Sequence, residues 1–157
     1  MKNMKFIGIV LLLLTSYWAQ GQYEDVEKNY WIDMTKVTLK NKYDPKTENF
    51  ARIPKFGKDI LALDGQKIYL KGFIIPADLT KGRMTLSKFS YSSCYFCGAA
   101  GPESVIEIEA KNPIIYRMDK AIILEGTLRI NRKKEGQEYD PFRLLYILED
   151  ATYYSGK

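Results

Sequence analysis

The chain of 157 residues contains no histidine, so neither a Ser-His-Asp nor a Cys-His catalytic site can be built from it. The same absence removes the usual completion of a zinc site, in which cysteine and histidine share four positions. Cysteine is scarce too: Cys94 and Cys97 are the only two. Each thiol can therefore pair only with the other, with a metal, or with a second molecule. Beyond Leu14 no stretch is apolar and long enough to span a bilayer, which takes roughly 20 residues. A repeat of domain size, a low-complexity tract and a glycine fingerprint for nucleotides are also missing.

What is present begins with the features of an export signal. Lys2 and Lys5 precede the apolar run Phe6 to Leu14, and a more polar stretch ends in Ala19-Gln20-Gly21. A basic start, a short apolar centre and small residues at the cleavage positions predict a signal peptide over 1–21, with Gln22 as the first mature residue. The run is too short to cross a membrane, and no cysteine stands near the cleavage position for lipid attachment. The mature chain is thus expected to be periplasmic or otherwise exported, soluble, and without a membrane anchor. Cleavage takes away two lysines and no acid, so 22 basic residues face 19 acidic ones and the net charge drops from +5 to +3. A balance that modest, with both signs spread along the chain, argues against a nucleic-acid partner. The 136 residues left after removal of the first 21 suffice for one domain with its own core.

Residues 22–52 read as an N-terminal arm, charged and rich in Tyr and Asn, with Trp31 as its anchor. Within it, Asn41 to Asn49 contains Asp44-Pro45 and predicts a turn or mobile connection. The domain itself is placed over 53–152, with a tail at 153–157. Phe56 to Leu63 suits one or two helical turns, ended by Asp64-Gly65. In Lys67 to Ile75, the residues Ile68, Leu70, Gly72 and Ile74 share one face, the period-two mark of a half-buried strand that Pro76 stops. Leu86 to Tyr91 is a weaker candidate. Glu103 to Ala110 is a third, with Ile106 and Ile108 opposite Glu107 and Glu109, a pair read as a solvated face. Ala121 to Asn131 carries Ile122, Leu124, Gly126, Leu128 and Ile130 on one face, and Phe142 to Ala151 is the last. Both long strands hold a glycine in the middle of the inward line, which suits a sharp bend where a sheet curls on itself. Five bent strands and little helix predict an all-β fold, a small, partly closed OB-like barrel. An open antiparallel sandwich is the alternative.

The chemistry concentrates in Cys94-Tyr95-Phe96-Cys97. Haem attachment is excluded, because Gly98 stands where a histidine would follow. A redox dithiol wants its first cysteine at the start of a helix, and Gly98-Ala99-Ala100-Gly101-Pro102 makes a poor one. A metal such as zinc or copper needs ligands beyond two thiolates. Glu103 could contribute, or two chains could each donate a pair as a homodimer. A disulfide closing a tight turn suits an exported chain and is the favoured reading, with no resident cofactor. Its loop is so short that cross-linking contributes only about 2 kcal/mol before strain. Tyr91, Tyr95 and Phe96 cluster beside the thiols as a candidate contact surface, and Arg132, Lys133 and Lys134 form a charged loop that could line a binding face.

Three segments carry a resemblance. Leu63-Asp64-Gly65 through Pro76, Tyr91-Ser92-Ser93-Cys94 through Gly98 with Gly101-Pro102-Glu103-Ser104, and Leu124-Glu125-Gly126-Thr127-Leu128 together resemble a family of exported bacterial proteins known as a domain of unknown function. The likeness spans about Ile53 to Ala151. It implies a periplasmic, OB-like protein whose relatives include companions of transport systems, some linked to metals. It brings no catalytic residues. The expected function is a non-enzymatic binding or accessory module for a protein partner or small ligand. A metal-binding accessory protein is the alternative, and a thiol-disulfide exchanger the second alternative.

Overall fold

A computed structural model describes residues 28–45, 48–78, 83–117, 120–132, 140 and 143–155. The signal peptide expected over 1–21, the first residues of the arm, and Lys133 and Lys134 lie outside the described residues.

Two short helices and a hairpin come first. Helix α1 spans Tyr30–Met34, strands β1 (Val37–Asp44) and β2 (Asn49–Phe56) pair along their whole length, and helix α2 spans Lys58–Ala62. The barrel follows as β3 (Lys67–Asp78), β4 (Arg83–Ser87), β5 (Val105–Ala110), β6 (Ala121–Ile130) and β7 (Tyr146–Tyr153). Its strands run in the order β3-β4-β5-β7-β6, and β6 returns to β3. All neighbours are antiparallel except β5 and β7. This is the OB-like architecture the sequence predicts, fully closed instead of partly closed.

The mid-strand glycines explain the closure. The first half of β3 pairs with β6 up to Phe73, and from Phe73 onward the strand pairs with β4. At Gly72, just before that change of partner, a Cβ atom would sit 2.4 Å from the Ser87 carbonyl oxygen and 3.0 Å from Leu86 Cγ. Gly126 meets the other bend. Opposite it, β7 inserts an extra residue relative to β5 and β6, and Asp150 takes a left-handed φ of 52°. A Cβ at Gly126 would lie 2.6 Å from the Glu149 carbonyl oxygen. The bulge also resets the alternation, so that Tyr146 and Leu148 point inward before it and Ala151 after it.

One core unites the parts. Ile68, Leu70, Leu86, Ile106, Leu124, Leu128 and Leu148 fill the barrel, and Trp31, Met34 and Ile60 of the two helices join the same cluster. The indole Nε1–H of Trp31 donates to the Lys71 carbonyl at 2.9 Å, and the Tyr146 hydroxyl donates to the Met34 carbonyl at 2.6 Å. Asp64 ties α2 to the end of β6 by accepting from the Ile130 amide (3.2 Å) and from Arg132 Nη2 (3.0 Å).

Three expectations about element limits need correction. Pro76 does not stop its strand, since β3 runs on to Asp78. The stretch Asn41 to Asn49 is mostly strand: Val37–Asp44 is β1, and β2 begins at Asn49. The second barrel strand ends at Ser87, so Tyr91 belongs to the following loop.

Candidate functional site

The loop from Lys88 to Ser104 joins β4 to β5 and carries both cysteines. Its base is closed by the Lys88 amide donating to the Ser104 carbonyl at 2.9 Å. Three single 3₁₀ turns, Tyr91–Ser93, Tyr95–Cys97 and Pro102–Ser104, then fix its path. Local sequence dictates each one. The Ser93 amide bonds to Ser90, and the Cys97 amide to Cys94. Gly98 ends the second turn with φ at 76°, the left-handed conformation that favours glycine, while its amide donates to the Tyr95 carbonyl at 2.9 Å. Pro102 opens the third turn, where its missing N–H costs nothing.

Cys94 is buried and Cys97 is exposed, with their sulfurs 3.9 Å apart. A disulfide holds its sulfurs at about 2.05 Å, so the bridge expected from the sequence is not made in this structure. Instead the Cys97 thiol lies 3.0 Å from the Tyr91 carbonyl oxygen. Desolvation by the surrounding loop, together with the neighbouring Cys94, pushes the Cys97 thiol up from its ordinary pKa.

Around the thiols the aromatics face outward. Phe89 is 38% exposed, Tyr91 57%, Tyr95 37% and Phe96 45%, with the Tyr95 and Phe96 rings packed edge to face at 5.4 Å. Glu103 takes a different direction. Its carboxylate lies where a Cβ on Gly101 would meet both oxygens at 2.3 Å, and its charge, added to burial, raises the Tyr146 pKa. Among the described residues no three of Cys, Asp and Glu gather as a metal-holding group. Arg132 is engaged with the buried Asp64 carboxylate, away from any cluster with the cysteines.

Two further features have no local sequence signature. Glu107 is not solvated but buried, and Arg143 donates to both its oxygens at 3.0 and 3.2 Å and also to Glu109. The second feature is a cleft of about 480 Å³ lined by Lys28, Asn29, Tyr30, Trp31, Tyr69, Leu70, Lys71, Lys88 and Ile123. Its residues come from four separate stretches of chain, and only the alternation of β3 hints that Tyr69 and Lys71 point away from the core.

Fold and loop together define a closed five-stranded barrel that displays a dithiol among aromatic rings. Compared with protein-family models, with curated proteins and with solved structures, the chain matches none. No helix among the described residues is long and apolar enough to cross a membrane.

Proposed function

We propose that the protein is an exported, non-enzymatic binding module that meets a protein partner through the Lys88–Ser104 loop. The carrying observation is the exposure of Phe89, Tyr91, Tyr95 and Phe96 within eight residues, on a backbone held by its own turns. Clustered exposed aromatics on a pre-shaped loop favour an interface, because little ordering entropy is lost on contact. Export follows from the N-terminal sequence, and the transport-system association from the resemblance. A photo-crosslinking side chain at Tyr91 in intact cells tests the reading. The expected result is a discrete adduct that disappears when Phe96 is replaced by serine and is absent for the same label at Lys40. Unchanged labelling in the Phe96→Ser chain would sink the idea, as would retention of the unprocessed chain in the cytoplasm for the export claim; an exported N-terminus other than Gln22 would move only the cleavage position.

The sulfur separation favours a second reading. Two thiolates on one tetrahedral zinc, with Zn–S near 2.3 Å, stand about 3.8 Å apart, close to the 3.9 Å between Cys94 and Cys97. The remaining ligands would come from a second copy or from the partner. Stoichiometric zinc or copper in the purified protein, lost on Cys94→Ser, supports this reading. A metal-free disulfide after purification from an oxidising compartment restores the structural bridge. Ready reduction with disulfide reductase activity favours the exchanger.

A further inference from the structure

We propose that the cleft between α1 and the outer face of β3 and β6 binds a small organic anion with a flat apolar body, an aromatic carboxylate being the simplest member. The volume of about 480 Å³ is in the range of small-molecule sites. Its lining sets the chemistry. Lys28, Lys71 and Lys88 line the cleft, with no Asp or Glu among the described lining residues. Elsewhere on the barrel Lys67, Arg129, Arg132 and Arg143 each hold a carboxylate. In the cleft, by contrast, the Lys28 ammonium rests over the Tyr30 ring at 4.9 Å, and that of Lys88 over Phe89 at 5.3 Å. Three cations gathered with no counter-charge among the described lining residues favour an anion.

The apolar part of the lining is fixed beforehand. Lys71 pairs directly with Ile123 across the β3–β6 ladder, so the two side chains share one face. Tyr69 is held edge to face by Tyr30 at 5.5 Å and stacked by Tyr154 at 5.1 Å. Its hydroxyl accepts from the Lys28 amide at 3.3 Å. The Trp31 N–H is already used on the Lys71 carbonyl. The indole therefore offers only apolar surface. An inorganic anion would leave these rings and Ile123 unused, and a neutral sugar would find Asn29 as the sole side-chain amide among the described lining residues. A flat acid uses both halves of the lining. Because Lys88 begins the cysteine loop and α1 lies against Pro102–Ser104, such a ligand would sit at the foot of the proposed partner surface. The inference does not depend on that surface.

The probe is 1-naphthoate, compared with neutral 1-naphthamide, on the full chain carrying Trp18→Phe so that Trp31 is the only indole. Naphthoate is expected to bind below about 1 mM and change Trp31 fluorescence, with naphthamide roughly tenfold weaker or worse. Lys71→Met and Lys88→Met should each weaken naphthoate roughly three- to tenfold, and Lys40→Met on the hairpin should not. Raising salt from about 0.05 to 0.5 M supplies a check without any variant, since it should weaken the acid and spare the amide. Equal affinity for acid and amide, indifference to both lysine variants, or no binding at about 10 mM would each overturn the proposal.

Discussion

Replacing Gly72 with alanine should destabilise the barrel by a predictable amount, although alanine is by propensity no worse in a strand. The added Cβ would stand 2.4 Å from the Ser87 carbonyl oxygen, a separation that real Cβ atoms essentially never show. The obstacle is backbone, so no rotamer change relieves it. Either β4 retreats by most of an ångström or β3 straightens, and both loosen the Phe73↔Ser87 and Ile74↔Leu86 pairs beside the change of partner. Overpacking of this kind costs up to about 3 kcal/mol. The smaller entropy of the unfolded alanine chain offsets about 0.5–1 kcal/mol. The net expectation is a loss of about 2 kcal/mol, or roughly 6–10 °C in melting temperature for a domain of this size.

The comparison that isolates the cause is Gly98→Ala. Nothing lies within 4 Å of a Cβ there, and the only obstacle is the φ of 76°. That substitution should cost about 1 kcal/mol by backbone conformation alone. Urea unfolding followed by far-ultraviolet circular dichroism measures both, with an unchanged slope required before midpoints are compared. If Gly72→Ala proves as stable as the parent, or less harmful than Gly98→Ala, the strands do not approach as closely as described and the reason given for the barrel's closure fails.

Three more outcomes follow from the same packing. Burial, with Glu103 nearby, raises the Tyr146 pKa, so the folded state keeps a proton that the unfolded tyrosine releases near pH 10. Parent stability should therefore fall by about 1.4 kcal/mol per pH unit above that point. Tyr146→Phe, about 1 kcal/mol weaker at neutral pH through its lost bond to Met34, should lack the slope, and parallel curves would contradict this. Arg143→Met strands the buried Glu107 carboxylate and should cost about 1–3 kcal/mol, much of it recovered when Glu107 also becomes Met; failure to recover in the double variant would show that the pair is not the cause. Trp31→Phe leaves the Lys71 carbonyl without its indole donor and should lower the melting point by the equivalent of about 1–2 kcal/mol, whereas an unchanged melt would mean that α1 is not fastened to the barrel as described.

Much of the barrel could be read from the chain because its strands alternate cleanly and their glycines break that alternation for a reason. Ile68, Leu70 and Ile74, like Leu124 and Leu128, are buried as period two requires, and Gly72 and Gly126 stand where strands cross closely. The β1–β2 hairpin escaped the same test. Its apolar face is interrupted by Asn41 opposite Arg52, and Pro54 breaks the pattern of β2, because the hairpin extends past the core with Tyr43 and Phe50 exposed. Glu107 misled for the opposite reason. Its acidic side chain keeps the outward position of a regular strand, yet Arg143, far along the chain, covers and neutralises it there.

The two candidate sites differ in the same way. The cysteine loop is written in consecutive residues, since Ser90, Gly98, Gly101 and Pro102 determine its turns through bonds of three residues or fewer. Tertiary contacts decide only how deeply Cys94 sinks and where Glu103 turns. The cleft has no such local code. Lys28, Lys71 and Lys88 acquire a common environment only after Trp31 enters the core and its N–H fastens on the backbone of Lys71 itself. That bond brings α1, with Lys28 just before it, onto the strand that carries Lys71. Retaining three lysines around aromatic rings, with carboxylates abundant elsewhere on the same barrel, is better understood as a surface kept for an anion.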